Sequence, residues 1–161
     1  DVLLGLSDAY VEAGRGDDAI PVIEALIDAE TDGGKKRSKK AAVYHQRLAR
    51  AYEARGDKAA ALEHLEAAYK LDISNVAVLV DLGKAHYGAE DYDKAVKLFR
   101  ALLLQRFDPS VGVSKADVYW YVGDISLKQG DARKAKGMFQ RGLDENKDHE
   151  GCKAGLAECN G

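Results

Sequence analysis

An all-α solenoid of stacked helical hairpins is the fold class this sequence predicts, and three observations predict it. A large apolar residue followed by a small one recurs at Leu6-Ser7, Leu48-Ala49, Leu82-Gly83 and Val122-Gly123, with a partial fifth pair at Leu156-Ala157. The intervals between these pairs are 42, 34, 40 and 34 residues, so two share one period and the others exceed it by eight and six. Such a period marks repeated supersecondary units with insertions held at the joints. Finally, each interval contains two runs with the three-and-four spacing of an amphipathic helix, separated by a turn. A stack of this kind exists to present an extended surface, which makes binding the leading functional class.

Taken in order, the first hairpin runs from Val2 to about Ala29 and turns at Gly14-Arg15-Gly16-Asp17. Leu3, Leu6 and Tyr10 form the inward stripe of its first helix, and Ile20, Ile23 and Ile27 that of its second. Pro21 is tolerated if it lies in the first turn after Asp17, where backbone donors lack partners. The joint 31–40 combines a glycine pair with five cations and is expected to be a mobile loop. A second hairpin spans about Lys39 to Leu71 and turns at Gly56-Asp57; a third spans Asn75 to about Gln105 and turns at Glu90-Asp91-Tyr92, where aspartate can cap the following helix. The second insertion is the joint 107–114, and Ser114 is a good N-cap for a helix beginning near Lys115. The fourth hairpin turns at Gly130-Asp131, and a last helix from His149 to Cys159 covers its exposed face. In repeat terms the chain reads as one domain with units at 1–31, 42–75, 76–109 and 116–149 and a capping helix at 149–159, cut from a longer protein because it opens inside a helix without methionine.

Composition narrows the function classes. A hydrophobic share of 46% beside 32% charged residues is that of a soluble folded chain. A net charge of -3 argues against nucleic acid and against a polybasic membrane anchor, and no apolar stretch approaches the roughly 20 residues that span a bilayer. Cys152 and Cys159 lie about 10 Å apart along one helix, which excludes a disulfide between them there. They are read as packing residues, and no metal or cofactor is expected.

Four copies of one residue pattern carry a family resemblance. The second unit supplies His45, Leu48, Ala49, Tyr52, Ala61, Leu65 and Ala68, and the third Leu79, Leu82, Gly83, His86, Ala95, Phe99 and Leu102. The first supplies Leu3, Leu6, Ser7, Tyr10, Ala19, Ile23 and Leu26, and the fourth Tyr119, Val122, Gly123, Ser126, Ala135, Phe139 and Gly142. In this the chain resembles tetratricopeptide repeats across nearly its whole length. The resemblance implies a right-handed superhelix that binds a peptide or partner protein on its concave face. Two departures stand out: Ile73 and Lys147 replace the proline that usually separates repeats.

Within each first helix, residues two before, two after and five after the packing leucine lie about 140° to 200° around the axis from it, and so face the groove. They are Leu4, Asp8 and Val11; Gln46, Arg50 and Glu53; Val80, Lys84 and Tyr87; Trp120, Asp124 and Leu127; Ala154 and Glu158 continue the series. Arg50 and Lys84 flanked by Asp8 and Asp124, with Tyr87 and Trp120 beyond, suit an extended peptide bearing a carboxylate and an apolar anchor. Their alternative role is that of solvated charges balanced by Glu53 or Asp81. Trp120, the sole tryptophan, stands one residue past the family's packing slot, which Tyr119 fills. It is either an interface anchor or a filler against Phe107 or Val113. The asparagine set of the family's chaperone-tail receptors is missing, so that specificity is not carried over. Catalysis is not expected: His45 and His86 occupy core slots, His64 lies on a second helix, His149 in a joint, and acidic pairs fall in turns. The reading is therefore a non-enzymatic peptide- or protein-binding scaffold; its alternatives are a self-associating scaffold, with homo-oligomers, and a regulatory or substrate-positioning segment of a larger enzyme.

Overall fold

Local chemistry at the helix ends divides this chain into its elements. The computed structural model describes residues 2–161, and all regular structure among them is helical. In order these are α1 (Val2–Glu12), α2 (Gly16–Thr31), α3 (Lys39–Arg55), α4 (Lys58–Leu71), α5 (Val76–Gly88), α6 (Tyr92–Leu103), α7 (Lys115–Lys128), α8 (Ala132–Glu145) and α9 (Glu150–Asn160), with a 3₁₀ turn at Pro109–Val111. Asp57 and Asp131 start α4 and α8 by accepting from the backbone N–H of Ala60 at 3.1 Å and of Lys134 at 2.9 Å. Ser114 and Asp117 form a reciprocal capping box at α7. Asp91 departs from the expected capping: its side chain makes no cap bond and instead takes the Lys94 ammonium at 2.9 Å.

The residue before each of these second-helix N-caps adopts left-handed backbone. Gly14, Gly56 and Gly130 do so at φ 71°, 90° and 80°, and Glu90 at φ 61°. His149 is not a joint residue but the N-cap of α9, its ring accepting from the Cys152 N–H at 3.0 Å. Pro21 also differs from expectation. Because α2 begins at Gly16, the proline sits beyond the first turn, where its missing donor leaves the Asp17 carbonyl without its helical partner.

The joint 31–40 is tied down rather than free. Gly34 N–H and Lys36 N–H bond to Thr31, the Ser38 hydroxyl donates to Glu30 at 2.6 Å, and Arg37 donates to the Lys70 carbonyl at 2.8 Å. With Lys39 and Lys40 also facing Asp72 and Glu30, three of the five cations of this segment take partners that sequence spacing does not reveal.

Contacts divide the chain into two compact units, Asp1–Leu82 and Gly83–Gly161. In the first, Ala19, Ile20, Ile23, Tyr44, Leu48 and Ala51 form a core against which Leu4, Tyr10 and Val11 pack, and Ala42, Ala68 and Val78 form another. This corrects the expected orientation of α1. Leu3 and Leu6 are 49% and 43% exposed, Ser7 is its buried residue, and the groove candidates Leu4 and Val11 turn to the core. With apolar residues on every side, α1 has no periodicity that selects a face; its contacts with α2 and α3 make the choice. In the second unit, Ala135, Phe139 and Cys152 form one core cluster, with Trp120, Leu127, Leu143 and Leu156 around them. Burial pushes the Cys152 thiol up to about 11, which marks it as a packing group.

One packing rule recurs in all four hairpins. Sixteen residues separate Ser7 from Ile23, Ala49 from Leu65, Gly83 from Phe99 and Gly123 from Phe139, and every member is buried. A Cβ on Gly83 would stand 2.9 Å from the Phe99 ring, and one on Gly123 2.6 Å from the Phe139 ring. Where the first helix offers serine or alanine the second supplies an aliphatic residue; where it offers glycine, a phenylalanine.

Candidate functional site

Apart from Leu4 and Val11, which face the core, and the α9 residues Ala154 and Glu158, the groove candidates are ten and fall into two sets, five in each compact unit. In the unit Asp1–Leu82, α3 and α5 are joined by a polar cluster. Gln46 is buried and donates its amide to Asp81, and Arg50 Nε reaches the same carboxylate at 3.0 Å. One oxygen, Oδ2, accepts both, so the buried amide is satisfied by a charge that Arg50 in turn balances. Asp8 is held by Arg47 Nε at 3.3 Å. Glu53 is exposed at the end of α3. Val80 is fully buried and offers no surface, contrary to its place in the spacing. Arg50 therefore has Asp81 as its counter-charge, one of the two partners that the sequence offers it.

In the unit Gly83–Gly161 the candidates converge on α5 and α7. Lys84 Nζ donates to the Gly112 carbonyl at 3.1 Å and so ties the end of the 3₁₀ turn to α5, a partner other than the acidic residues near it in sequence. The Tyr87 hydroxyl donates to Asp124 Oδ2 at 2.6 Å, and Lys128 Nζ stands 3.7 Å from the same oxygen. Burial and the Asp124 charge both raise the Tyr87 pKa, keeping its proton in place as a donor.

Around this bond lies a group of rings. Tyr87 meets Tyr121 edge-on at 5.0 Å, Trp120 at 6.2 Å and Tyr92 at 6.2 Å between centroids, while Tyr121 stacks on the buried Phe99 at 4.6 Å. Trp120 is half-buried, and it lies on Tyr121 and against Gly151 of α9, where a Cβ would stand 2.8 Å from the indole. Leu127 is half-buried beside Phe139 and Cys152. Spacing alone misses Tyr121, Tyr92 and Gly151; the adjacency of three aromatic residues at 119–121 is the one signal that could have found Tyr121.

The histidines take structural partners. His45 Nδ1 and His64 Nδ1 are 3.2 Å apart, and Tyr52 stacks on His64 at 5.3 Å. His149 accepts at Nδ1, so its proton is on Nε2, facing Asp117 Oδ1 at 3.0 Å. Burial works to raise the Asp117 pKa, but the Ser114 and His149 hydrogen bonds outweigh it and hold the carboxyl low. Among the described residues no three His, Cys, Asp or Glu side chains gather as a metal site, and no helix is long and apolar enough to cross a membrane.

Tetratricopeptide-repeat family models match residues 4–76 and 52–112. No curated protein matches the sequence. Among solved structures the fold is similar to that of Pseudomonas aeruginosa pilF (TM-score 0.77, 20% identity, covering 99% of this chain and 66% of that one). It is similar as well to a tetratricopeptide repeat protein from Parabacteroides merdae (TM-score 0.81, 16% identity, 98% and 57%) and to MamA (TM-score 0.76, 16% identity, 98% and 79%). The chain thus spans 66% and 57% of the first two of these relatives. Helical hairpins throughout and family matches over most of the sequence lead to one conclusion: this is an all-α solenoid that belongs to the tetratricopeptide-repeat family.

Proposed function

We propose that the chain is a non-enzymatic binding module that takes an extended peptide or partner-protein segment on the faces of its first helices. Members of this family serve as protein-interaction scaffolds and bind protein partners. The observation that carries the finer reading is the ring group of the unit Gly83–Gly161. Tyr87 and Trp120 are half-buried, held in place by Asp124, Tyr121 and Gly151, and keep part of their surface open to solvent. Rigid, partly exposed tyrosine and tryptophan lose little entropy on binding and are the residues enriched at interface hot spots. Lys84, Asp124 and Leu127 complete that patch, with Arg50, Asp8 and Glu53 forming a charged patch on the other unit. Gln46 belongs to the scaffold of that second patch, because its amide is buried and committed to Asp81. Nucleic acid fits less well, since these faces alternate in charge.

Affinity capture with the wild type and with an Arg50→Ala/Lys84→Ala/Trp120→Ala variant tests the reading, with helicity checked by circular dichroism. The variant is expected to keep its helicity and lose partners that the wild type retains. Titration of a captured partner into the wild type should also change the emission of Trp120, the one tryptophan of the chain. Identical partner lists together with unchanged emission move the site off the first-helix faces.

A further inference from the structure

We infer that the unit Gly83–Gly161 carries a second binding site, on its second helices, for an acidic segment of a partner protein. A cleft of about 300 Å³ opens between α6, the end of α7 and the start of α8, lined by Asp93, Val96, Lys97, Arg100, Gln129 and Lys134. Its volume lies at the small end of the ~300–1,000 Å³ range of ligand clefts and takes a few side chains rather than a large molecule.

The charges of this cleft are unbalanced. Three cations of these helices are engaged elsewhere: Lys94 with Asp91 at 2.9 Å, Lys128 with Asp124 at 3.7 Å, and Lys136 with Asn160 at 2.8 Å. Lys97, Arg100 and Lys134 line the cleft, and their charged ends, like those of Arg133 and Arg141 outside it, have no ion pair or hydrogen bond among the described residues. Lys97 and Arg100 are three residues apart, one helical turn, and so share a face of α6, and Lys134 faces them from the first turn of α8. The one carboxylate of the lining, Asp93, accepts the Gln129 amide at 3.2 Å and is the residue that opposes an incoming anion. Helix α6 carries three cations against one carboxylate, and α8 four against two, in a chain whose net charge is -3.

Several observations select the occupant. No aromatic ring lines the cleft, so it lacks the stacking platform by which a single-stranded nucleic acid is held. In a second copy of this chain the helix richest in carboxylates is α2, with five and no cation. Yet Asp17, Asp18 and Glu30 of α2 already face Arg55, Arg15 and Lys40, which leaves only Glu24 and Asp28 without a paired lysine or arginine. A run of aspartate or glutamate in an extended segment meets all three cations, with Val96 beneath its methylenes. This site is independent of the ring group on the first helices.

A fluorescent Asp/Glu hexapeptide, its Asn/Gln counterpart and an oligouridylate, each titrated by fluorescence anisotropy at about 50 mM and about 300 mM salt, test the inference. The acidic peptide is expected to saturate the protein at low salt and the neutral one not to bind. Lys97→Glu/Arg100→Glu/Lys134→Glu should weaken binding by at least about tenfold, while Asp93→Asn, which removes the opposing charge and keeps an acceptor for Gln129, should tighten it by about threefold. Side-chain NMR signals of Arg100 and Gln129 should shift on titration while the Trp120 indole signal stays in place. Absence of saturable binding, equal affinity in the triple variant, or tighter binding of the oligouridylate overturns the assignment.

Discussion

Glu90 occupies left-handed backbone at φ 61°, at the position where the other three hairpins place Gly14, Gly56 and Gly130. A side chain there costs about 1–2 kcal/mol, because its Cβ crowds the following carbonyl. Glu90→Gly should therefore stabilise the fold by about 1 kcal/mol, after allowing for the greater freedom of glycine in the unfolded chain. Chemical denaturation reads this directly, and a loss of stability would show that the Glu90 side chain has a compensating role. A second residue-level consequence concerns pH. Burial holds the His45 pKa below its ordinary value, with His64 adding repulsion; burial likewise lowers that of His64 against the pull of Glu63 and Glu24. The folded state thus resists protons that the unfolded chain accepts. Stability is full above the unfolded value of 6.5 and falls as pH drops through it. His45→Phe/His64→Phe should flatten the stability profile between about pH 7 and pH 5, as measured by thermal melts across that window.

Between helices, the size of one residue sets the size of another. The Gly123–Phe139 pair leaves no room for a methyl group, since the ring stands 2.6 Å from the place a Cβ would take. Gly123→Ala is expected to cost about 1–3 kcal/mol, the usual penalty for overpacking a filled core. Adding Phe139→Leu imitates the Ala49–Leu65 pair of the second hairpin and should recover part of that loss. A double-mutant cycle measures the coupling, and simple additivity of the two losses would show that the residues do not act as a pair. Because Gly155 of α9 also lies against the Phe139 ring, the recovery is expected to be incomplete. A further link between helices is the Asp117–His149 bond, which ties the N-terminal cap of α7 to that of α9.

At the scale of the molecule, the leucine-small pairs and the glycine-aspartate turns made the helical hairpins legible in the sequence, as was the capping role of Ser114, whereas Asp91, the aspartate read as a cap, makes no cap bond. What periodicity could not decide was orientation. Helix α1 is apolar around most of its circumference, so Leu4 and Val11 rather than Leu3 and Leu6 reach the core. Partners distant in sequence were equally hidden: Gly112 for Lys84, Arg47 for Asp8, and Gly151 for Trp120 each depend on a joint or helix packing that spacing does not encode. The cleft of Lys97, Arg100 and Lys134 was missed because the groove rule surveys only first helices. The matched pairs from Ser7 and Ile23 to Gly123 and Phe139 also bear on how such a chain is rearranged. A second helix that packs a phenylalanine cannot be exchanged onto a first helix that offers alanine without a clash, nor the reverse without a void. The smallest cassette that recombination or grafting can move intact is therefore the whole hairpin, never one helix of it.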